Sequence, residues 1–209
     1  MKETSMNLNQ LNEIHIDVLK EIGNIGSGNA ATALANILGD TVAMDVPKVN
    51  IVDVNQAVAT LGGPENISIC VLSKLEGDIK GLMMFLIQCS YAPVILKGIG
   101  CPCESECDHL SEMEQSAISE IGNILISSYI NSIAALSKLN IKTSVPALCV
   151  DMVGALMSVP AIEMATVSDH IIFIQDNFLS DEQSITANML LVPNITSLEI
   201  IMQRLGITL

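Results

Sequence analysis

Asp17-Val18-Leu19-Lys20-Glu21-Ile22-Gly23-Asn24 is followed by a proline at Pro47, and the chain repeats the pattern as Ser116-Ala117-Ile118-Ser119-Glu120-Ile121-Gly122-Asn123 with Pro146. Every landmark of the second copy lies 99 positions after the first. Chance does not reproduce polar and special residues in such register. The chain therefore reads as two copies of one unit, each carrying one copy of a site.

Around the first copy, Leu11, Ile14, Val18, Ile22 and Ile25 recur at spacings of three and four, which predicts a helical apolar stripe within residues 8–38. Asp17, Glu21 and Asn24 form a polar line on its flank. Gly23, Gly26 and Gly28 each weaken a helix by roughly 1 kcal/mol against alanine. Either they break the segment or they admit a close neighbour. The favoured reading is a long helix, a break between residues 26 and 28, and a short helix over 30–38. Residues 42–54 read as β, with Pro47 at a strand start, an edge or a bulge because it cannot donate to a ladder. Strands follow at 67–72 and 79–88 around the turn Glu76-Gly77-Asp78, then a helix at 92–99.

Residues 101–108 (CPCESECD) resemble nothing in the other half and mark the junction between halves of about 8–100 and 109–209. The second helix, 109–136, carries the stripe Leu110, Met113, Ala117, Ile121 and Ile124. Strands at 142–153, 171–174 and 185–192 and a helix at 195–205 complete the repeat. The expected architecture is one α/β (α+β) domain over 1–209. It is duplicated about a pseudo-two-fold, with one shared, mainly antiparallel sheet and two long motif-bearing helices on a face.

Half the residues are apolar but only 2% are aromatic, so Ile, Leu, Val, Ala and Met must fill the core, with Met83, Met84, Met189 and Met202 among them. A net charge of −14 argues against nucleic-acid backbones and anionic membranes. The polar N-terminus and the interrupted hydrophobic window at 81–100 predict a soluble, cytoplasmic protein. In that compartment the six cysteines are expected to be mostly thiols, with Cys70, Cys89 and Cys149 in the core. Cys101, Cys103, Cys107 and His109 form the best rival site, a zinc cluster, but lack paired-knuckle spacing; no metal site is expected. His15 and His170 do not recur and read as incidental.

In each motif a carboxylate and a carboxamide three residues apart project from one helical face. Neither copy holds His or Cys, so a covalent nucleophile is not indicated. A carboxylate can pair with a partner's cation, and a carboxamide can hold a water through either end. Positioning water suffices to speed hydrolysis of an already activated bond, as in phosphoryl transfer.

The pattern Asp/Ser-x3-Glu-x2-Asn-x22-Pro, present twice, resembles the CheC-type chemotaxis phosphatases, related to CheX and FliY. Both copies fit it: Asp17, Glu21, Asn24, Pro47 and Ser116, Glu120, Asn123, Pro146. The resemblance implies dephosphorylation of a CheY-type response regulator at its aspartyl phosphate. By it, Asn24 and Asn123 orient the attacking water, and Glu21 and Glu120 hold the regulator's active-site lysine. Mg²⁺ would belong to the regulator, so the chain needs no cofactor of its own. The resemblance also implies a CheD-type receptor deamidase as partner. The alternative is a non-catalytic adaptor for the regulator, the deamidase or the flagellar switch. An internal pseudo-dimer makes a monomer sufficient.

Overall fold

The computed structural model describes residues 13–38, 43–101, 106–164, 170–179 and 184–206. Its first motif helix is continuous: α1 spans Glu13–Leu38, so the expected break at 26–28 does not occur. The glycines serve close approach instead. A Cβ on Gly26 would overlap the ring of Tyr129, and one on Gly23 would lie 2.5 Å from Val49 Cγ2. The neighbours are side chains rather than backbone. The buried stripe is also rotated from the expected one. His15, Leu19, Ile22, Ser27, Ala30 and Leu34 face the core, while Ile14 is 62% exposed.

The second motif helix, α4, spans Glu112–Ser137. Ser111 caps it through the Glu114 amide while the Glu114 carboxylate accepts from the Ser111 N–H at 2.7 Å, a reciprocal arrangement that satisfies two otherwise orphaned donors. Here too the stripe is shifted: Ile118, Ile121, Leu125 and Tyr129 are buried, whereas Met113 is 73% exposed.

Eight strands form one antiparallel sheet: β1 (Ala43–Met44), β2 (Lys48–Asp53), β3 (Ile67–Gly77), β4 (Gly81–Gln88), β5 (Ile141–Thr143), β6 (Ala147–Met152), β7 (His170–Leu179) and β8 (Ser184–Pro193). The order is β1-β7-β8-β4-β3-β5, with β2 also on β7 and β6 also on β3. Read from either end the sheet is the same, which is the pseudo-two-fold expected from the repeat. Strand pairing was not foreseen. Each hairpin, β3–β4 or β7–β8, is flanked by the outer strands of the other half.

The proline sits in the same irregularity twice. Between Met44↔Phe178 and Lys48↔Gln175, the outer strand spends one residue more than its partner. The same excess separates Thr143↔Leu75 from Ala147↔Leu72. Each is a β-bulge on an edge strand, a place where proline is tolerated. The bulges share their remaining hydrogen bond: Asp45 N–H donates to the Asn177 carbonyl at 3.2 Å, and Ser144 N–H to the Lys74 carbonyl at 2.9 Å.

Alternation along the central strands separates two apolar layers. Ile69, Val71, Met83, Phe85, Ile87, Ile174, Met189 and Leu191 pack under α1 and α4, with contributions from α3 (Ala92–Gly98) and α7 (Ile195–Arg204). Cys70, Leu82, Met84, Leu86, Phe173 and Leu190 form the other layer, with Ala57 and Leu61 from the α2 segment (helix Val54–Thr60) and Val153 and Leu156 of α5 (Val153–Leu156); α6 (Ser158–Met164) follows. The expected core methionines are buried.

Two cysteine expectations change. Cys89 and Cys107 are joined in a disulfide, which takes Cys107 out of the suspected zinc set; Cys70, Cys101 and Cys149 are free thiols, and Cys103 lies outside the described residues. Cys149 is exposed rather than buried. Its cross-strand neighbour Cys70 is buried, and burial pushes that thiol's pKa up to about 12. Among the described residues, no helix is long and apolar enough to cross a membrane.

Candidate active sites on the two motif helices

Both motif helices lie on one face of the sheet, and the glycine of each motif is packed closely against strand side chains beneath it. Gly23 rests over Val49 and Ile174, which are partners in β2–β7. Gly122 rests over Val71, where a Cβ would lie 2.7 Å from the side chain, and Val71 pairs with Leu148 in β3–β6. A helix backbone this close to the sheet has little freedom to rock. Beside each glycine stand the residues singled out in the sequence. Glu21, Asn24 and Asp17 are exposed on α1; Glu120 and Ser116 are exposed and Asn123 is half-buried on α4.

Within each copy, Glu and Asn are separated by about 4.5 Å along the helix axis and share a face. Among the described residues, the Glu21, Asn24, Glu120 and Asn123 side chains have no hydrogen-bonded or ionic partner, which leaves these groups available to a ligand. The first site carries an additional surface pair, Lys20 Nζ to Asp17 Oδ1 at 3.3 Å, which contributes little in water. Ser119 and Ser116 occupy these positions in the second site. Pro47 and Pro146 lie in the two bulges, immediately before β2 and β6.

Sequence reasoning missed what ties the two helices together. Ser27 Oγ and Tyr129 Oη each donate to the Asp176 carboxylate, and the two hydroxyls also meet each other. Asp176 and Tyr129 are buried. Desolvation drives the Asp176 carboxyl above its ordinary range, opposed by the Ser27 and Tyr129 hydrogen bonds. Burial and then the nearby Asp176 charge drive the Tyr129 phenol upward as well. A further bond, Asn29 Nδ2 to Ser132 Oγ at 3.0 Å, joins α1 and α4 on the same side. The network occurs once: the positions matching Ser27 and Tyr129 are Ile126 and Ala30, so the repeat gave no signal for it.

The arrangement offers two rigidly held carboxylate–carboxamide pairs and, among the described residues, no cluster of three or more side chains suited to holding a metal. Such a pair can dock a cation and orient a water against an electrophile brought by a partner.

A family model described as the CheC-like family matches residues 6–51 and 113–150, spans that contain both motifs with their prolines. The chain is 33% identical over 206 residues to the CheY-P phosphatase CheC of Bacillus subtilis (strain 168), covering 96% of this chain and 98% of that protein. Its fold is similar to that of FliY from Thermotoga maritima, with a TM-score of 0.73 at 20% identity over 94% of this chain and 98% of that one. It also matches a chain of the CheX-CheY-BeF3-Mg²⁺ complex from Borrelia burgdorferi, with a TM-score of 0.50 at 16% identity over 79% and 94% of the two chains.

Proposed function

The chain belongs to the CheC-like family, and from that premise we propose that it hydrolyses the aspartyl phosphate of a CheY-type response regulator at two sites, one on α1 and one on α4. The substrate is a protein that brings its own phosphoryl group and Mg²⁺. Glu21 and Glu120 pair with a lysine beside that phosphoryl group and fix the pose. Asn24 and Asn123 then hold a water in line with the phosphorus and the leaving carboxylate oxygen. The water oxygen forms the new P–O bond as the P–O bond to the aspartate breaks, leaving free aspartate and inorganic phosphate. Orientation of this kind supplies several kcal/mol of rate enhancement without a nucleophile on the enzyme.

One observation carries this reading. Both copies present an exposed Glu and an exposed or half-buried Asn, with neither side chain engaged elsewhere, on helices that each pack on the sheet through the motif glycine. A site kept only for packing does not leave its polar groups open twice. A cytoplasmic location and a CheD-type deamidase partner belong to the same proposal.

The test is decay of a phosphorylated CheY-type regulator with Mg²⁺, with and without the protein, beside Asn24→Ala, Asn123→Ala and the double variant. Acceleration by wild type that only the double variant abolishes is the expected result. Activity lost with one single variant assigns catalysis to that site alone. A regulator that binds but decays at its intrinsic rate favours the adaptor reading.

A further inference from the structure

Nine large apolar side chains are exposed among the described residues, and four of them form two pairs related by the repeat: Ile14 with Met113, and Val46 with Val145. The members of each pair stand 99 positions apart, as Glu21 and Glu120 do. Val46 is 80% and Val145 is 89% exposed. Matching exposure at matching positions is not what scattered surface residues give.

Their placement brackets the two sites. Ile14 lies on α1 about 10 Å before Glu21, at ~1.5 Å per residue. Gly23 sits over Val49 and Ile174, and Ser27, one turn on, bonds Asp176. α1 therefore runs with β7 and against β2, so the bulge holding Val46 lies on the far side of Asn24 from Ile14. Val46 is three residues from Val49, about 10 Å along the edge at ~3.3 Å per residue. In the second half Met113 precedes Glu120 by the same interval. α4 runs toward β5, which starts at Ile141 shortly after the helix ends at Ser137, so Val145 again stands beyond Asn123. Bulges beside active sites commonly re-aim a side chain, and here each one turns a valine outward.

We propose that Ile14 with Val46, and Met113 with Val145, form the apolar docking rim through which each site grips the receiver domain of its regulator. This rests on the phosphatase reading above and names how that partner is recognised. The occupant follows from continuity with the site and from charge. Carboxylates accompany each rim, Asp17 and Glu21 in the first and Glu112 and Glu120 in the second, all exposed. A complementary surface presents a basic side chain flanked by apolar ones, beside its phosphoryl group. The span from Ile14 to Val46, about 23 Å by the rises above, suits one small globular domain and exceeds what a peptide side chain or metabolite needs. Buried apolar groups at the centre of such contacts carry much of the binding energy.

The experiment uses the full chain with Ile14→Ala, Val46→Ala, Met113→Ala and Val145→Ala combined. Val159→Ala with Ile162→Ala serves as control, since these residues are also exposed but lie on α6. Two readouts are taken: initial dephosphorylation rates over a range of phosphorylated CheY-type regulator, and binding of the same regulator loaded with beryllofluoride. The expected result is a rise of about tenfold in both KM and Kd, with kcat changed less than twofold and the control pair like wild type. Unchanged KM and Kd overturn the docking rim. So does a fall in kcat at constant KM, which would put these residues in the chemistry. If wild type itself leaves phosphate decay unaltered, the phosphatase reading falls, and the beryllofluoride Kd alone decides the rim.

Discussion

Two glycines two residues apart in the same helix should respond to alanine with opposite signs. Gly26 faces the ring of Tyr129, and a Cβ there would overlap it, whereas a Cβ on Gly28 meets nothing within 4 Å. Tyr129 cannot step aside easily. It is 1% exposed, and its hydroxyl is held by Ser27 and Asp176. Overpacking of a core costs about 1–3 kcal/mol, and replacing a helical glycine returns about 1 kcal/mol. Because the Cβ would overlap a pinned ring, the upper part of that range, about 2–3 kcal/mol, applies, and less the helix gain Gly26→Ala should destabilise by roughly 1–2 kcal/mol. Gly28→Ala keeps the helix gain alone and should stabilise by about 0.5–1 kcal/mol. For a chain of this length, 1 kcal/mol shifts Tm by about 2–4 °C, so the two variants should melt on opposite sides of wild type. Urea titration with a common m-value gives the same ordering in free energy. A Gly26→Ala protein as stable as wild type, or both variants shifting the same way, would refute the close packing of α1 against α4 and with it the continuous helix.

Asp176 sets a pH dependence. Its carboxyl is raised above the ordinary 3.8, so between that value and the raised one the native state binds more protons than the unfolded chain. Stability then declines as pH rises through that window, and Asp176→Asn should flatten the decline; urea midpoints between pH 4 and 8 that run parallel in the two proteins would contradict this. Cys89→Ser should lower stability under oxidising conditions by about 3 kcal/mol, the value typical of a loop near the 18-residue separation of this disulfide, and the difference should vanish with reductant present. In an Asn24→Ala background, Gly122→Ala should reduce dephosphorylation at least tenfold with the fold intact. Its Cβ would lie 2.7 Å from Val71 and lift the helix, and small misplacements are costly to oriented attack; unaltered kcat in that background would show that the helix seat is not needed.

The repeat marked the candidate sites in the sequence, because Glu21, Asn24, Glu120 and Asn123 are polar residues with no packing reason to recur, three of them exposed and Asn123 half-buried. It also made the shared antiparallel sheet legible. The buried stripe differs from the apolar pattern because its members include His15, Gly23, Gly26 and Ser27, whose polarity or small size hides them from a hydrophobicity pattern. Ile14 and Met113 looked like core for the converse reason. The short helix after β2 has a start signal in the sequence. Asp53 and Gln56 form a capping box, with the Gln56 N–H on Asp53 Oδ1 at 2.8 Å, but the run before it reads as strand. The Ser27–Tyr129–Asp176 network and the Cys89–Cys107 bond join segments whose meeting depends on strand pairing, and pairing leaves no mark in periodicity.

That pairing bears on how the chain reaches its native state. The outer strand β2 finds its place only against β7, Val49 opposite Ile174, and β6 only against β3. Neither half contains a complete sheet, so contacts that close the structure link distant parts of the sequence, and high contact order of this kind slows folding. On the ribosome the first half must wait with an unpaired edge until β7 has been synthesised, exposed to wrong partners in the interval. An isolated first half has an equivalent remedy available. Two copies can each lend an outer strand to the other's hairpin, restoring by exchange between chains the closure that the duplicated chain achieves within itself.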